Sequence, residues 1–198
     1  MRKISEHRLK RAVLGGKAIH LVRKDRDNKR QDNGTNRVYD EIIGKIGEEA
    51  VCEITGCSNP DYQIYRSPEH EFDLPELKAS VKSCRFEYIQ NKNDKNGKNG
   101  PSFLIPWKEI LPYDIEDDDG NIVDGYFFPE NGRFIFMLVN EKCNGEYVDC
   151  GWIYIKELRD IWNQIALPPY ASKITTKKAI YLCDIESKLQ PLSKIGKK

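Results

Sequence analysis

Two side chains, Asp73 and Lys82, have the types and spacing that hydrolysis of a phosphodiester bond requires. A carboxylate binds a divalent cation, and a nearby amine orients or deprotonates the attacking water and offsets charge on the phosphate. Asp73 is flanked by apolar residues, and Lys82 follows nine positions later in a run rich in strand-forming residues. If these segments are neighbouring strands, the two groups meet. We therefore predict that Asp73 binds metal and that Lys82 assists the water.

The predicted metal ligands are the carboxylates of Asp73 and Glu48 and the backbone carbonyl oxygen of Val81. Side chains alternate between the faces of a strand, so Ser80 and Lys82 share one face and Val81 lies on the other. Glu48 is expected to complete the metal shell or to hold a metal-bound water. Hard oxygen ligands of this kind favour Mg²⁺ or Mn²⁺.

Periodicity of apolar residues predicts the elements that position these side chains. A helix over 38–54, ended by Gly56, places Glu48 at the edge of its apolar face. A shorter helix is expected to begin at Ser5 and to end at Gly15 and Gly16. The remaining predicted elements are strands over 62–65, 71–74, 79–88, 103–105, 134–139 and 179–182, and a helix over 155–165. The strand over 134–139 is expected to be central, because it is continuously apolar. This order predicts an α/β fold with a mixed central β-sheet flanked by helices.

These motifs resemble those of the PD-(D/E)xK nuclease superfamily, which includes many restriction enzymes. The resemblance covers about residues 38–88 and rests on Gly44-Lys45-Ile46-Gly47-Glu48, Phe72-Asp73-Leu74 and Ser80-Val81-Lys82-Ser83. It implies a restriction-endonuclease-like fold and a metal-dependent endodeoxyribonuclease, a hydrolase of DNA phosphodiester bonds. It also implies a homodimer that cuts both strands, by analogy with many restriction enzymes.

The sequence departs from the family pattern at Ser80, where a carboxylate is expected two residues before the lysine. Glu48 is our candidate for the relocated carboxylate. If nothing replaces it, the chain is a catalytically weakened or inactive DNA-binding protein of the same fold. A third interpretation is a module that binds a protein partner through its acidic segment, 114–124, and its basic N-terminal arm. In the simplest alternative, Asp73 and Lys82 form only a surface ion pair.

A second reading frame also fits the family consensus. Asp61 follows Pro60, and Glu76-Leu77-Lys78 matches the acidic residue and the lysine. We rank this frame lower because Pro75 directly precedes Glu76 and favours a turn over a strand interior.

Basic residues are concentrated at the N-terminus, although the net charge of the chain is only +1. Residues 1–37 contain 12 Lys and Arg against four Asp and Glu. We predict a basic N-terminal arm over 1–37 and a nuclease-like α/β domain over 38–198, with DNA as the partner. The residues expected to track phosphates are Arg8, Lys10, Arg11, Arg23, Lys24, Arg26, Lys29 and Arg30. A loop with Lys92, Lys95 and Lys98 is expected to enter a groove or cover the cleft.

The compartment is predicted from hydropathy and cysteine usage. No apolar run approaches the ~18 residues of a membrane span, and the N-terminus lacks the apolar stretch of a secretory signal. We therefore expect no membrane partner and a cytoplasmic location. The six cysteines lack the spacing of a structural zinc site, so we predict buried free thiols.

Overall fold

Helices and strands surround one central sheet in the computed structural model, which describes residues 1–26, 36–60, 72–86, 100–116, 119–165 and 177–195. The helices in these ranges are α1 (Glu6–Arg26), α2 (Asn36–Thr55), α3 (Ile155–Trp162) and the short α4 (Leu182–Ile185). The strands are β1 (Arg2–Lys3), β2 (Ala79–Arg85), β3 (Ser102–Pro106), β4 (Tyr113–Glu116), β5 (Ile122–Gly125), β6 (Arg133–Val139), β7 (Glu146–Tyr154) and β8 (Lys177–Tyr181). Within the described ranges, no helix has both the length and the apolar character needed to cross a bilayer.

The central sheet has four strands in the order β1-β7-β6-β2. Strand β2 runs parallel to β6, whereas β7 is antiparallel to both β6 and β1. The sheet is therefore mixed, and the prediction of a mixed α/β protein is confirmed. The other described strands form two separate ribbons, β3 with β8 and β4 with β5.

Strand β6 lies in the interior of the sheet, as its continuous apolar sequence predicted. Its residues Phe134 to Met137 are fully buried, and they alternate between two cores. Ile135 and Met137 pack with α1 and α2 on one face, whereas Phe134 and Phe136 pack with β3 and α3 on the other. The sheet is thus covered on both faces, and only its edge strands give access to it.

Helix α1 does not end at Gly15 and Gly16, as the sequence had suggested, but continues to Arg26. The reason is close packing against α2. A Cβ on Gly16 would lie 2.7 Å from the Cα of Ile42, so glycine here permits close approach of the two helices. Ala12 is buried in the same contact. The first 26 residues accordingly pack against the core instead of extending from it.

The strand predicted over 71–74 is reduced to one bridge. Leu74 pairs antiparallel with Ala79, and a tight 3-10 turn over Pro75–Leu77 joins them. Lys78 then has φ +48°, a left-handed conformation that closes the turn. Since proline lacks an amide hydrogen, it cannot continue a ladder here. The strand predicted over 62–65 lies outside the described residues, as does the end of the one predicted over 79–88.

Candidate functional site

Asp73 is held at the outer edge of β2. Its side chain is buried, with 5% of the residue exposed. The Ser80 hydroxyl and the Val81 amide both donate to its Oδ2, at 3.0 and 2.9 Å. The bridge between Leu74 and Ala79 brings Asp73 to this position, on the side of β2 that faces away from β6. The carboxylate is therefore fixed against the backbone of the strand that carries Lys82.

Lys82 is bound to a carboxylate that the sequence did not reveal. Its Nζ lies 2.6 Å from Oε2 of Glu109, and the side chains are 13% and 6% exposed. The ammonium group also lies 5.4 Å from the ring centre of Phe134, on the same face of the sheet. Glu109 belongs to a 3-10 turn over Trp107–Glu109 that follows β3. One feature of the sequence could have indicated that Glu109 is buried: the apolar residues Ile110 and Leu111 come directly after it.

Glu48 is also paired within the protein. Both of its carboxylate oxygens accept from Nζ of Lys45, at 2.8 and 2.6 Å, and both residues are 6% exposed. Lys45 and Glu48 are three positions apart on α2, so this is an ion pair between neighbouring side chains of one helix. Lys45 belongs to the helix motif that the sequence singled out, but its pairing with Glu48 was not anticipated.

The contact between α2 and β2 depends on the glycine that precedes Glu48. A Cβ on Gly47 would overlap the hydroxyl of Ser83, so the helix approaches the strand at this point without a side chain between them. Ser83 shares its face of β2 with Val81, which is buried against α2. Helix α2 therefore covers the face of the strand opposite to Lys82.

The structure thus brings together some of the predicted site residues. Asp73, Ser80 and Val81 are in direct contact, and the alternation of β2 places Lys82 on the face of Ser80. Participation of Glu48 in the same site stays a prediction, because its described contact is with Lys45.

The described carboxylates offer a small set of ligands for a cation. In these parts of the chain, no group of three or more His, Cys, Asp or Glu residues lies close enough to hold a metal ion. Mg²⁺ in proteins is commonly held by one or two carboxylates together with water and substrate phosphate. Asp73, beside the backbone of Val81, has hard oxygen donors of the correct kind. The donor set therefore fits a site in which the substrate and water supply the remaining ligands.

The second reading frame has a different structure. Glu76 and Lys78 are exposed in the turn before β2, and Glu76 accepts the Ser58 amide at 3.1 Å. Asp61 lies outside the described residues. Neither Glu76 nor Lys78 is on a strand, in agreement with the lower rank of this frame.

The described basic residues of the N-terminus are either paired with a buried carboxylate or exposed to solvent. Arg8 and Arg11 lie 2.6 and 3.2 Å from the fully buried carboxylate of Glu49, so both are bound within the protein. Lys10 and Lys17 are instead exposed on α1. Nothing is described of the side chains of Arg23, Lys24 and Arg26, and Lys29, Arg30, Lys92, Lys95 and Lys98 lie outside the described residues.

Comparison with known proteins found no matching family model, no matching curated protein and no matching solved structure.

Proposed function

We propose that this protein is a Mg²⁺-dependent endodeoxyribonuclease with a restriction-endonuclease-like fold. The observation that carries this proposal is the buried carboxylate of Asp73, hydrogen-bonded to Ser80 and Val81 on the strand that also carries Lys82. This carboxylate lies against the backbone of the strand that carries Lys82, which supports a site where an acidic group and an amine act on one substrate. The mixed sheet with helices on both faces is compatible with such a fold.

Each residue has a defined part in this proposal. Asp73 and the Val81 carbonyl oxygen would hold the cation, which would supply positive charge to offset the charge of the scissile phosphate. Ser80 occupies the position of the missing carboxylate and holds Asp73 in place through its hydroxyl. Lys82 orients the attacking water and offsets charge on the phosphate. Glu48 is the proposed second carboxylate, although it is paired with Lys45 and belongs to the helix that covers the face of β2 opposite to Lys82.

Lys82 must exchange partners in order to act. Its ammonium group is neutralised by Glu109 in the described state. A phosphate entering beside Asp73 brings negative charge to the same face, and it competes with Glu109 for the amine. Release of Lys82 from Glu109 would therefore accompany substrate binding, so the ion pair would hold the Lys82 side chain in position until DNA is present.

DNA binding is proposed to use the exposed lysines of α1, Lys10 and Lys17. They stand seven positions apart and lie on one side of the helix, as residues two turns apart do. A homodimer, in which each copy cuts one strand, is part of the proposal by analogy with restriction enzymes.

A second candidate function is DNA binding without cleavage. One observation favours it: both the Lys82 amine and the Glu48 carboxylate are engaged by other residues, Glu109 and Lys45. Combined with serine at position 80, these pairs would leave Asp73 as the one catalytic carboxylate. Salt-sensitive DNA binding without cleavage would support this function.

Cleavage of supercoiled plasmid in Mg²⁺ or Mn²⁺ distinguishes the two functions. The wild-type protein is expected to nick or linearise the plasmid, and Lys82→Ala is expected to lose this activity. Because Lys82→Ala leaves Glu109 buried without its partner, the double variant Lys82→Met, Glu109→Gln is needed as well. It removes both charges together and should fold without cleaving. Unchanged cleavage by the folded double variant would refute the role of Lys82.

A further inference from the structure

Two cysteine side chains meet at the C-terminal end of α2. Cys52 lies in the last turn of the helix, and Gly56 follows the helix with φ +68°. The Gly56 amide donates to the Cys52 carbonyl oxygen at 2.8 Å, which is the usual glycine-dependent helix ending. This turn reverses the chain and places Sγ of Cys57 2.9 Å from Sγ of Cys52.

The environments of the two thiols differ. Cys52 is fully buried, whereas Cys57 is partly exposed. The hydrogen bond between the sulfurs and the burial of Cys52 raise the pKa of Cys52, so its proton stays in place. The same hydrogen bond, with help from the Thr55 hydroxyl and against the effect of burial, lowers the pKa of Cys57 to about 7. Cys57 is thus the thiol that becomes a nucleophile.

We propose that Cys52 and Cys57 form a reversible disulfide when the protein meets a small-molecule disulfide such as oxidised glutathione. The geometry supports this pairing, because the two sulfurs are already in contact in the reduced protein. The sequence had predicted buried free thiols, whereas Cys57 is partly exposed and Cys183 is exposed. This thiol chemistry does not depend on phosphodiester hydrolysis, and it uses none of the residues proposed for that reaction.

The exchange has two steps. The Cys57 thiolate attacks one sulfur of the small disulfide, whose S–S bond breaks and releases one thiolate. The Cys52 sulfur then attacks the sulfur of Cys57, forms the new S–S bond and expels the second thiolate, while the Cys52 proton passes to a released thiolate. The two cysteines lose two electrons and two protons, and the small disulfide gains them as two thiols.

Two other cysteines have environments that oppose this reaction. Burial raises the pKa of Cys143, and it raises the pKa of Cys150 to about 12, so both keep their protons at neutral pH. Cys183 is exposed and lies in the short helix α4. It provides an internal control, because an exposed thiol reports whether the oxidant was active.

Mass spectrometry of the full chain tests the proposal. The wild-type protein is incubated with oxidised glutathione at pH 8, any remaining thiols are alkylated, and the digest is analysed. We expect a peptide containing Cys52 and Cys57 that has lost two hydrogens and carries no alkyl group, with glutathione attached at Cys183. A stable glutathione adduct on Cys57, or alkylation of both Cys52 and Cys57 while Cys183 is modified, would overturn the proposal.

The rate of alkylation gives a second test that needs no oxidant. Reaction of Cys57 with iodoacetamide should rise with a midpoint near pH 7 in the wild-type protein, because the thiolate forms there. In Cys52→Ala, the midpoint should move toward the ordinary thiol value of about 8.5. An unchanged midpoint in a folded Cys52→Ala protein would show that Cys52 does not act on Cys57. If this variant does not fold, the wild-type disulfide measurement decides alone.

Discussion

The ammonium group of Lys82 and the carboxylate of Glu109 form a 2.6 Å ion pair whose side chains are 13% and 6% exposed. The pair connects β2 to the turn after β3, two elements that are far apart in the sequence. Removing one partner of such a pair leaves an uncompensated charge in a place with little water. The residue proposed to act on water is therefore also a residue on which the fold depends.

Glu109→Gln should lower the free energy of unfolding by about 3 kcal/mol, because it leaves the Lys82 charge without its counterion. Urea unfolding of both proteins gives this difference. Glu130→Gln is the matched control, since Glu130 pairs with Lys156 at 3.5 Å and both side chains are more than 60% exposed. The control should change stability by less than about 0.5 kcal/mol. Equal small effects in both variants would show that Lys82 does not need Glu109.

Two substitutions at Asp73 should separate the effect of its hydrogen bonds on stability from the effect of its charge. Both donors, the Ser80 hydroxyl and the Val81 amide, converge on one oxygen, Oδ2. The amide oxygen of Asn can accept both, so Asp73→Asn should keep most of the stability. Asp73→Ala leaves both donors buried without an acceptor and should cost about 1–3 kcal/mol of unfolding free energy for each group left unpaired. Thermal unfolding of the two variants measures the difference. A similar loss in both would contradict the described geometry.

The sequence predicted the elements that have strong local patterns. Helix α2 was expected over 38–54 and is found at Asn36–Thr55, because its apolar face repeats at helical spacing. The central position of β6 followed from an uninterrupted apolar run. The sequence predicted that Asp73 and Val81 share a metal, but it did not anticipate the hydrogen bonds of Asp73 to the Ser80 hydroxyl and the Val81 amide.

Other features depend on contacts that leave no local pattern. Gly16 was taken as a helix end, but it is required where α1 and α2 approach each other, and no propensity distinguishes these two uses of glycine. The pairing of Lys82 with Glu109 joins elements whose relative position is set by the packing of β3 on the sheet. Arg8 appeared to be a surface residue, and its buried partner Glu49 is recognisable only once α1 and α2 are packed together.

Gly47→Ala should destabilise the contact between α2 and β2. The new Cβ would overlap the Ser83 hydroxyl, and overpacking of this kind costs about 1–3 kcal/mol of unfolding free energy. In a Ser83→Ala background the hydroxyl is absent, so the same substitution should cost less. Urea unfolding of the four proteins forms a double-mutant cycle. A coupling energy of zero would mean that Gly47 and Ser83 are not in contact.

Removing the exposed lysines of α1 should weaken DNA binding in a salt-dependent way. Lys10→Ala with Lys17→Ala is expected to reduce the slope of log affinity against log salt by about 2, if each lysine neutralises one phosphate. Fluorescence anisotropy with a short duplex at several salt concentrations gives the slope. Lys188→Ala with Lys194→Ala, also exposed, removes the same charge elsewhere and should leave the slope unchanged. Equal effects of the two double variants would show that α1 has no special part in binding.

Arg8→Ala should act on stability, in contrast to the lysine variants. It leaves the fully buried Glu49 carboxylate with Arg11 as its remaining described arginine partner. Because Arg11 still balances the Glu49 charge, loss of the Arg8 hydrogen bond should cost about 1.5–3 kcal/mol of unfolding free energy, whereas the variant of Lys10 and Lys17 should stay within about 0.5 kcal/mol of the wild type. Urea unfolding compares them. A stable Arg8→Ala protein would contradict the pairing with Glu49.

Plasmid cleavage by Asp73→Asn, beside the wild-type protein and across a series of Mg²⁺ concentrations, tests the central claim most directly. The variant keeps an acceptor for Ser80 and Val81 but loses the negative charge, so its folded state can be verified independently by circular dichroism. We predict that the wild-type protein cleaves only when Mg²⁺ is present and that the folded variant does not cleave at any Mg²⁺ concentration. Cleavage by folded Asp73→Asn at the wild-type rate, or no cleavage by the wild-type protein in either Mg²⁺ or Mn²⁺, would contradict the proposed nuclease site.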